Sequence, residues 1–233
     1  MSEANLSPAA MSNRTKAIVA VGLVTGVLYL FSDISWIETI TKPIPVLCMA
    51  LALALQPGRA RYQWAVIAGL LLSATADVVI SLHFVAGVAV FFLVHIAYII
   101  AFLQDSRQPF FWRALLSFGY GVMVYIYLMT AGDLGALAVP ILLYAIVITT
   151  MLWRAAARVG VTEIAERSGW SGFLGAAFFV LSDTLLIIRM VVRPIPLGDY
   201  VVMLTYWLGQ LGIALSAVWQ QRKTSKEQEI INT

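Results

Sequence analysis

The chain is poor in charge and in the side chains from which most sites are built. Of its 233 residues 12% are charged and 61% hydrophobic, with two histidines and one cysteine. Soluble domains carry about 25% charged residues, so this composition falls outside that class. A lone cysteine, Cys48, excludes an internal disulfide and any multi-thiolate metal site. Two histidines exclude a three-histidine zinc site and leave only mixed His/Asp ligation open, so no metal site is assigned. The sequence has no P-loop, dinucleotide fingerprint, HExxH, CxxC or GxSxG elbow, and no cofactor is expected. A formal charge of +3, spread over short segments rather than clustered, gives no footprint for nucleic acid.

What the chain has is long apolar runs. Charges, Gly, Pro and polar clusters divide them into eight spans: 16–32, 38–56, 62–81, 84–103, 109–130, 133–153, 170–191 and 197–219. At 1.5 Å per residue each can cross a hydrocarbon core, some with thinning or tilt. The expected architecture is all-α and polytopic, a bundle of eight transmembrane helices at 16–219 between polar tails at 1–15 and 220–233. The opening "MSEANLSPAAMS" is read as disordered. The apolar run after it lacks a small-residue cleavage site, so a retained first helix is expected rather than a removed signal peptide. Twelve of the fifteen basic residues fall on one side of the spans, leaving Lys42, Arg189 and Arg193 on the other. By the positive-inside rule both termini are cytoplasmic. The setting is an integral membrane, the cell (inner) membrane if the source is bacterial.

Two aspartates interrupt the apolar runs, Asp77 in "GLLLSATADVVI" and Asp183 in "GAAFFVLSDTLLII". Spans 3 and 7 both run outward, and each acid lies somewhat past the middle, so the two share a depth. A carboxylate facing lipid costs roughly 2.5–3.5 kcal/mol, so such groups face the bundle interior or a wet cavity and are functional by default. The bland alternative is a structural ion pair with Lys42, near the start of span 2. Two acids in one low-dielectric cavity favour different protonation states, which suits hydrolysis of an acid-labile bond or a proton relay. His95 is either functional, orienting a carboxylate or binding a substrate head group, or a satisfied interior hydrogen-bonder. Tyr98, Tyr144, Tyr206 and Gln210 are candidates for contacting a polar head group. Gly22 with Gly26, and Gly209 with Gly212, are read as close helix contacts.

Five segments together resemble one family. "TKPIPVL" (41–47), "GLLLSATAD" (69–77), "FFLVHIAYIIAF" (91–102), "GAAFFVLSDTLL" (175–186) and "VMLTYWLGQ" (202–210) are similar to the successive signatures of the YhhN-like lysoplasmalogenases. The resemblance implies an eight-helix membrane hydrolase that cleaves the vinyl-ether bond of a lysophospholipid, lysoplasmenyl-ethanolamine or -choline. The products would be a fatty aldehyde and the glycerophospho-ethanolamine or -choline. It implies that Asp77 and Asp183 are catalytic and that Lys42, His95, Tyr144, Tyr206 and Gln210 match the other polar positions. Ala76 stands where the family usually has glycine, which implies a tighter helix approach or a narrower cavity. A proton-coupled transporter using both acids as a relay, and a non-catalytic scaffold, are the competing classes.

The orientation has a direct test. Alkaline phosphatase fused after Gln220 is expected to be inactive in a bacterial host, and fused after Arg193 to be active. The reverse pattern would invert the topology.

Overall fold

A computed structural model describes residues 12–56 and 59–231, with side chains through Gln220. Among the described residues helices and short turns are the only regular structure, as hydrocarbon demands, because backbone groups denied water must pair within their own segment. The helices are α1 (Asn13–Phe31), α2 (Ser35–Thr41), α3 (Ile44–Ala54), α4 (Arg61–Leu82), α5 (Phe84–Asp105), α6 (Phe111–Ala131), α7 (Ala138–Ala156), α8 (Glu166–Val191) and α9 (Gly198–Ile231). A 3-10 turn at Gly135–Leu137 leads into α7. Helices α2 and α3 make one crossing, so the chain has eight candidate spans. The expected all-α, eight-span architecture is therefore present, with span ends shifted by a few residues. An even number of crossings brings both ends of the chain to one end of the bundle, called here the near end.

Three local expectations need correction. Helix α1 starts at Asn13, inside the stretch read as a tail, because Ser12 caps it by accepting from the Thr15 amide. The rest of that tail, 1–11, lies outside the described residues. Helix α9 continues to Ile231, through the stretch read as a polar tail, whose sequence offers no glycine or proline to stop it. Most consequentially, span 2 starts at Ser35, so Pro43 is not at its beginning but in its middle. Pro43 and Pro45 have no N–H to give the carbonyls of Thr39 and Thr41, and the helix is interrupted at Lys42–Pro43. Lys42 sits on that break.

The bundle is centred on two hairpins, α4–α5 and α8–α9. His83 alone joins α4 to α5 and caps the latter, its Nδ1 accepting from the Ala86 amide at 3.3 Å. Glycines permit the α8–α9 approach: a Cβ on Gly175 would lie 2.6 Å from the Ile213 nitrogen, and one on Gly212 2.6 Å from the Gly175 Cα. Gly209 and Gly212 thus serve the close contact expected of them, as do Gly22 and Gly26 against Cys48, Pro45 and Trp207.

Arginines close the near end. The buried Arg158 guanidinium donates to Asp105 Oδ2 at 2.6 and 3.1 Å and to Ser168 Oγ at 2.7 Å, and lies over the Tyr62 ring. Arg113 donates to the carbonyls of Ala156 and Val159, where α7 ends, and Arg154 to those of Ser106 and Gln108. These guanidinium groups tie loops to helix ends.

Glycine substitution tests the packing. Gly175→Ala is expected to cost about 1–3 kcal/mol by overpacking, read as a lower thermal midpoint in detergent. Gly119→Ala, whose Cβ would meet nothing within 4 Å, is expected at or above the wild-type midpoint.

Candidate active site

Asp77 and Asp183 come from α4 and α8, yet they line the same cavity, of about 300 Å³. Its walls are the far-end halves of α4, α5, α8 and α9, with Lys42 at the break in span 2. Tyr206, Phe91 and Met203 line its depth, and Arg189, Met190 and Asp199 its far-end side. The matched depth inferred from the sequence is thus a shared chamber.

Asp77 is almost fully buried, at 1% exposure. Its Oδ2 accepts a hydrogen bond from the Tyr206 hydroxyl at 2.8 Å. Its Oδ1 lies 4.0 Å from Lys42 Nζ, and that buried oxygen has no hydrogen-bond partner. The Tyr206 ring is itself fixed by edge-on packing against Phe91 and Phe179, with centroids 5.9 and 5.4 Å away. An unpartnered buried polar atom costs about 1–3 kcal/mol. This bare oxygen belongs to a residue on the cavity wall.

Asp183 is more accessible, with 15% of its side chain exposed. Its Oδ2 is held by two neighbours, accepting from the Tyr144 hydroxyl at 2.6 Å with His95 Nε2 at 3.2 Å. His95 Nε2 is also 2.8 Å from the Tyr144 hydroxyl oxygen. Facing two acceptor oxygens, Nε2 carries the ring proton when Asp183 is ionised. Nδ1 is then a bare acceptor, buried and without a partner. Of the readings of His95, the carboxylate-orienting one matches this geometry. His95 and Tyr144 stand behind Asp183 rather than on the cavity wall.

Tyr98 and Gln210 are placed differently from what the sequence suggested. Both are fully buried and neither lines the cavity. The Tyr98 hydroxyl donates to Gln210 Oε1, and Gln210 Nε2 donates to Ser73 Oγ at 2.9 Å. Ser73 in turn donates to the Gly69 carbonyl at 2.8 Å. This chain lies one helical turn deeper than Asp77, and it fills the floor under the cavity. A Cβ on Gly69 would come 2.3 Å from the Tyr98 ring, so the glycine of "GLLLSATAD" makes the room for that floor. Ser182 donates to the Val202 carbonyl at 2.9 Å, which accounts for it structurally. Ala76 is fully buried in the core.

Arg189 and Asp199, which the sequence reading did not select, also line the cavity. Arg189 Nη1 and Nη2 reach Asp199 Oδ1 and Oδ2 at 2.5 and 2.8 Å. The only available signal was that Arg189 is among the few basic residues on the far side.

The site can be set beside known proteins. The YhhN family profile matches residues 37–217, from α2 into α9. The chain is 31% identical over 188 residues to the human lysoplasmalogenase TMEM86B, covering 80% of this chain and 77% of the relative. It is 31% identical over 187 residues to the rat TMEM86B, covering 79% and 74%. With the human lysoplasmalogenase TMEM86A it shares 29% over 207 residues, covering 80% of each. No solved structure matches the chain significantly.

Stability separates a functional acid from a structural one. If Asp77 is kept for chemistry, Asp77→Asn replaces a buried carboxyl whose Oδ1 has no partner and unfolds at or above the wild-type temperature in detergent. A fall of several degrees would mark the Lys42–Asp77 pair as a structural staple.

Proposed function

This chain belongs to the YhhN family, and we propose that it is a membrane hydrolase that cleaves the vinyl-ether bond of lysoplasmalogens. The observation that carries the proposal is the pair of carboxyl groups from α4 and α8 on one cavity wall. The names of its relatives support the same substrate class.

The reaction needs two groups. Protonation of the alkene carbon distal to oxygen is the slow step and leaves an oxocarbenium ion. Water adds to that cation, a proton returns to a carboxylate, and the hemiacetal collapses to a fatty aldehyde and the glycerophospho-alcohol. One water is consumed and the acid is regenerated. Glycosidases meet a related cation with two carboxyl groups.

We assign the proton donor to Asp77 and the stabilising anion to Asp183. Asp77 Oδ1 has no hydrogen-bond partner to retain a proton, and its carboxyl is fixed by Tyr206 through the other oxygen. Asp183 Oδ2 is clamped by Tyr144 and His95, which fix the carboxyl and aim its free oxygen. Lys42, on its helix break, offers a positive charge to the lipid phosphate or to Asp77 once its proton is given up. Tyr98 and Gln210 act as positioning residues through the floor they build.

The interruption of span 2 at Lys42–Pro43 is the specific observation that favours a transporter, since broken helices surround many transport sites. Against that reading, all cavity-lining residues lie in the far-end half of the bundle, above a closed floor. Substrate flux into proteoliposomes without aldehyde formation would favour the transporter.

Asp77→Asn and Asp183→Asn are each expected to lower aldehyde release from lysoplasmenylethanolamine by about 10²–10⁴ while the protein stays folded. Full activity in either variant sinks the two-aspartate mechanism. Assaying aldehyde and fatty acid separately, with an ester lysolipid in parallel, identifies the bond that is cut.

A further inference from the structure

The cavity contains charge beyond what the reaction requires. Vinyl-ether hydrolysis accounts for Asp77 and Asp183, but Arg189 and Asp199 line the same chamber on its far-end side. Their pairing is unusually specific for a rim. The guanidinium meets the carboxylate through two parallel bonds, with Arg189 25% and Asp199 74% exposed. Gly198 makes the geometry possible: a Cβ there would lie 2.8 Å from Arg189 Cδ and 3.0 Å from its Nε. Leu197, immediately before it, adopts a left-handed conformation with φ 55°, which costs a non-glycine residue about 1–2 kcal/mol. A mere tie between α8 and α9 would not need a strained residue, because the glycine-lined contact below already joins them.

We propose that Arg189 and Asp199 form a headgroup site for a zwitterionic phosphoethanolamine, with the phosphate on Arg189 and the ammonium on Asp199. The proposal rests on the hydrolase reading, which puts the ether bond between Asp77 and Asp183. Arg189 is six residues beyond Asp183 along α8, roughly 9 Å at the helical rise. In such a lipid the phosphorus lies about five bonds from the ether oxygen, on the order of 6 Å when extended. The arginine side chain covers the difference.

Chemistry decides which charge takes which group. Arginine's planar fork matches two phosphate oxygens and keeps unused N–H donors while it holds Asp199. Lys42, which lines the same chamber, adds a second cation that the phosphate can face. Asp199 sits in the first turn of α9, where the helix dipole favours its negative charge even when Arg189 turns to phosphate. A primary ammonium donates hydrogen bonds to that carboxylate, whereas trimethylammonium has none to donate. The site therefore favours ethanolamine over choline.

Binding tests this without depending on hydrolysis. The probes are 1-O-alkyl-glycerophosphoethanolamine, its choline counterpart and 1-O-alkylglycerol, saturated ethers that the reaction cannot cut. Affinities are measured for the full chain in nanodiscs. The ratio of ethanolamine lipid to headless alkylglycerol is expected to fall about tenfold in R189Q and about threefold in R189K, which keeps the charge and loses the fork. D199N is expected to erase the preference for ethanolamine over choline. Ratios equal to wild type in the folded variants overturn the proposal, including when only R189K and D199N fold. Failure of the hydrolase reading is seen separately, as absence of aldehyde from the vinyl-ether lipid with these binding ratios intact.

Discussion

A carboxylate inside an apolar bundle must be met by donors that the bundle itself supplies, and the far-end half of this protein is organised around that requirement. Asp183 receives two, the Tyr144 hydroxyl and His95 Nε2, from α7 and α5. Asp77 receives one, from Tyr206 on α9, with Lys42 at the limit of ion-pair distance. Each donor is fixed by something further out. Tyr206 and His95 are packed edge-on against Phe179, and α9 can approach α8 only because Gly175, Gly209 and Gly212 carry no Cβ. Among the buried atoms left without a hydrogen-bond partner are Asp77 Oδ1 and His95 Nδ1, one in each acid cluster. Buried groups left bare beside a cavity are where a bundle holds reactivity rather than stability.

The two ends of the bundle show the contrast. At the near end Arg158, Asp105 and Ser168 form a closed set in which the guanidinium makes several bonds and stacks on Tyr62. Nothing comparable surrounds Lys42, which stands on a helix break made by two prolines and approaches Asp77 no closer than 4.0 Å. Charge at one end is spent on architecture and at the other is left available to a ligand.

Much of this was legible in the sequence. Apolar runs are a one-dimensional signal, so eight spans followed from composition, with ends displaced by a few residues. Spans 3 and 7 run in the same direction, which gave Asp77 and Asp183 a common depth. Contacts between distant segments carry no such signal. That Tyr98 and Gln210 pair with each other beneath the cavity depends on Gly69 leaving room for a ring from α5. Arg189 and Asp199 fall at the adjoining ends of spans 7 and 8, and only the turn at Leu197–Gly198 brings them together. The break at Lys42–Pro43 was not foreseen, because span 2 begins three residues earlier than the hydropathy suggested, which moves Lys42 from near its start to its middle.

The central claim is that this chamber protonates a vinyl-ether carbon, and hydrolysis in heavy water tests it most directly. Lysoplasmenylethanolamine incubated with the protein in D2O is predicted to give a fatty aldehyde with a single deuterium on the carbon next to the carbonyl, released more slowly than in H2O. Aldehyde that forms without deuterium at that carbon, or fatty acid in place of aldehyde, would contradict the account.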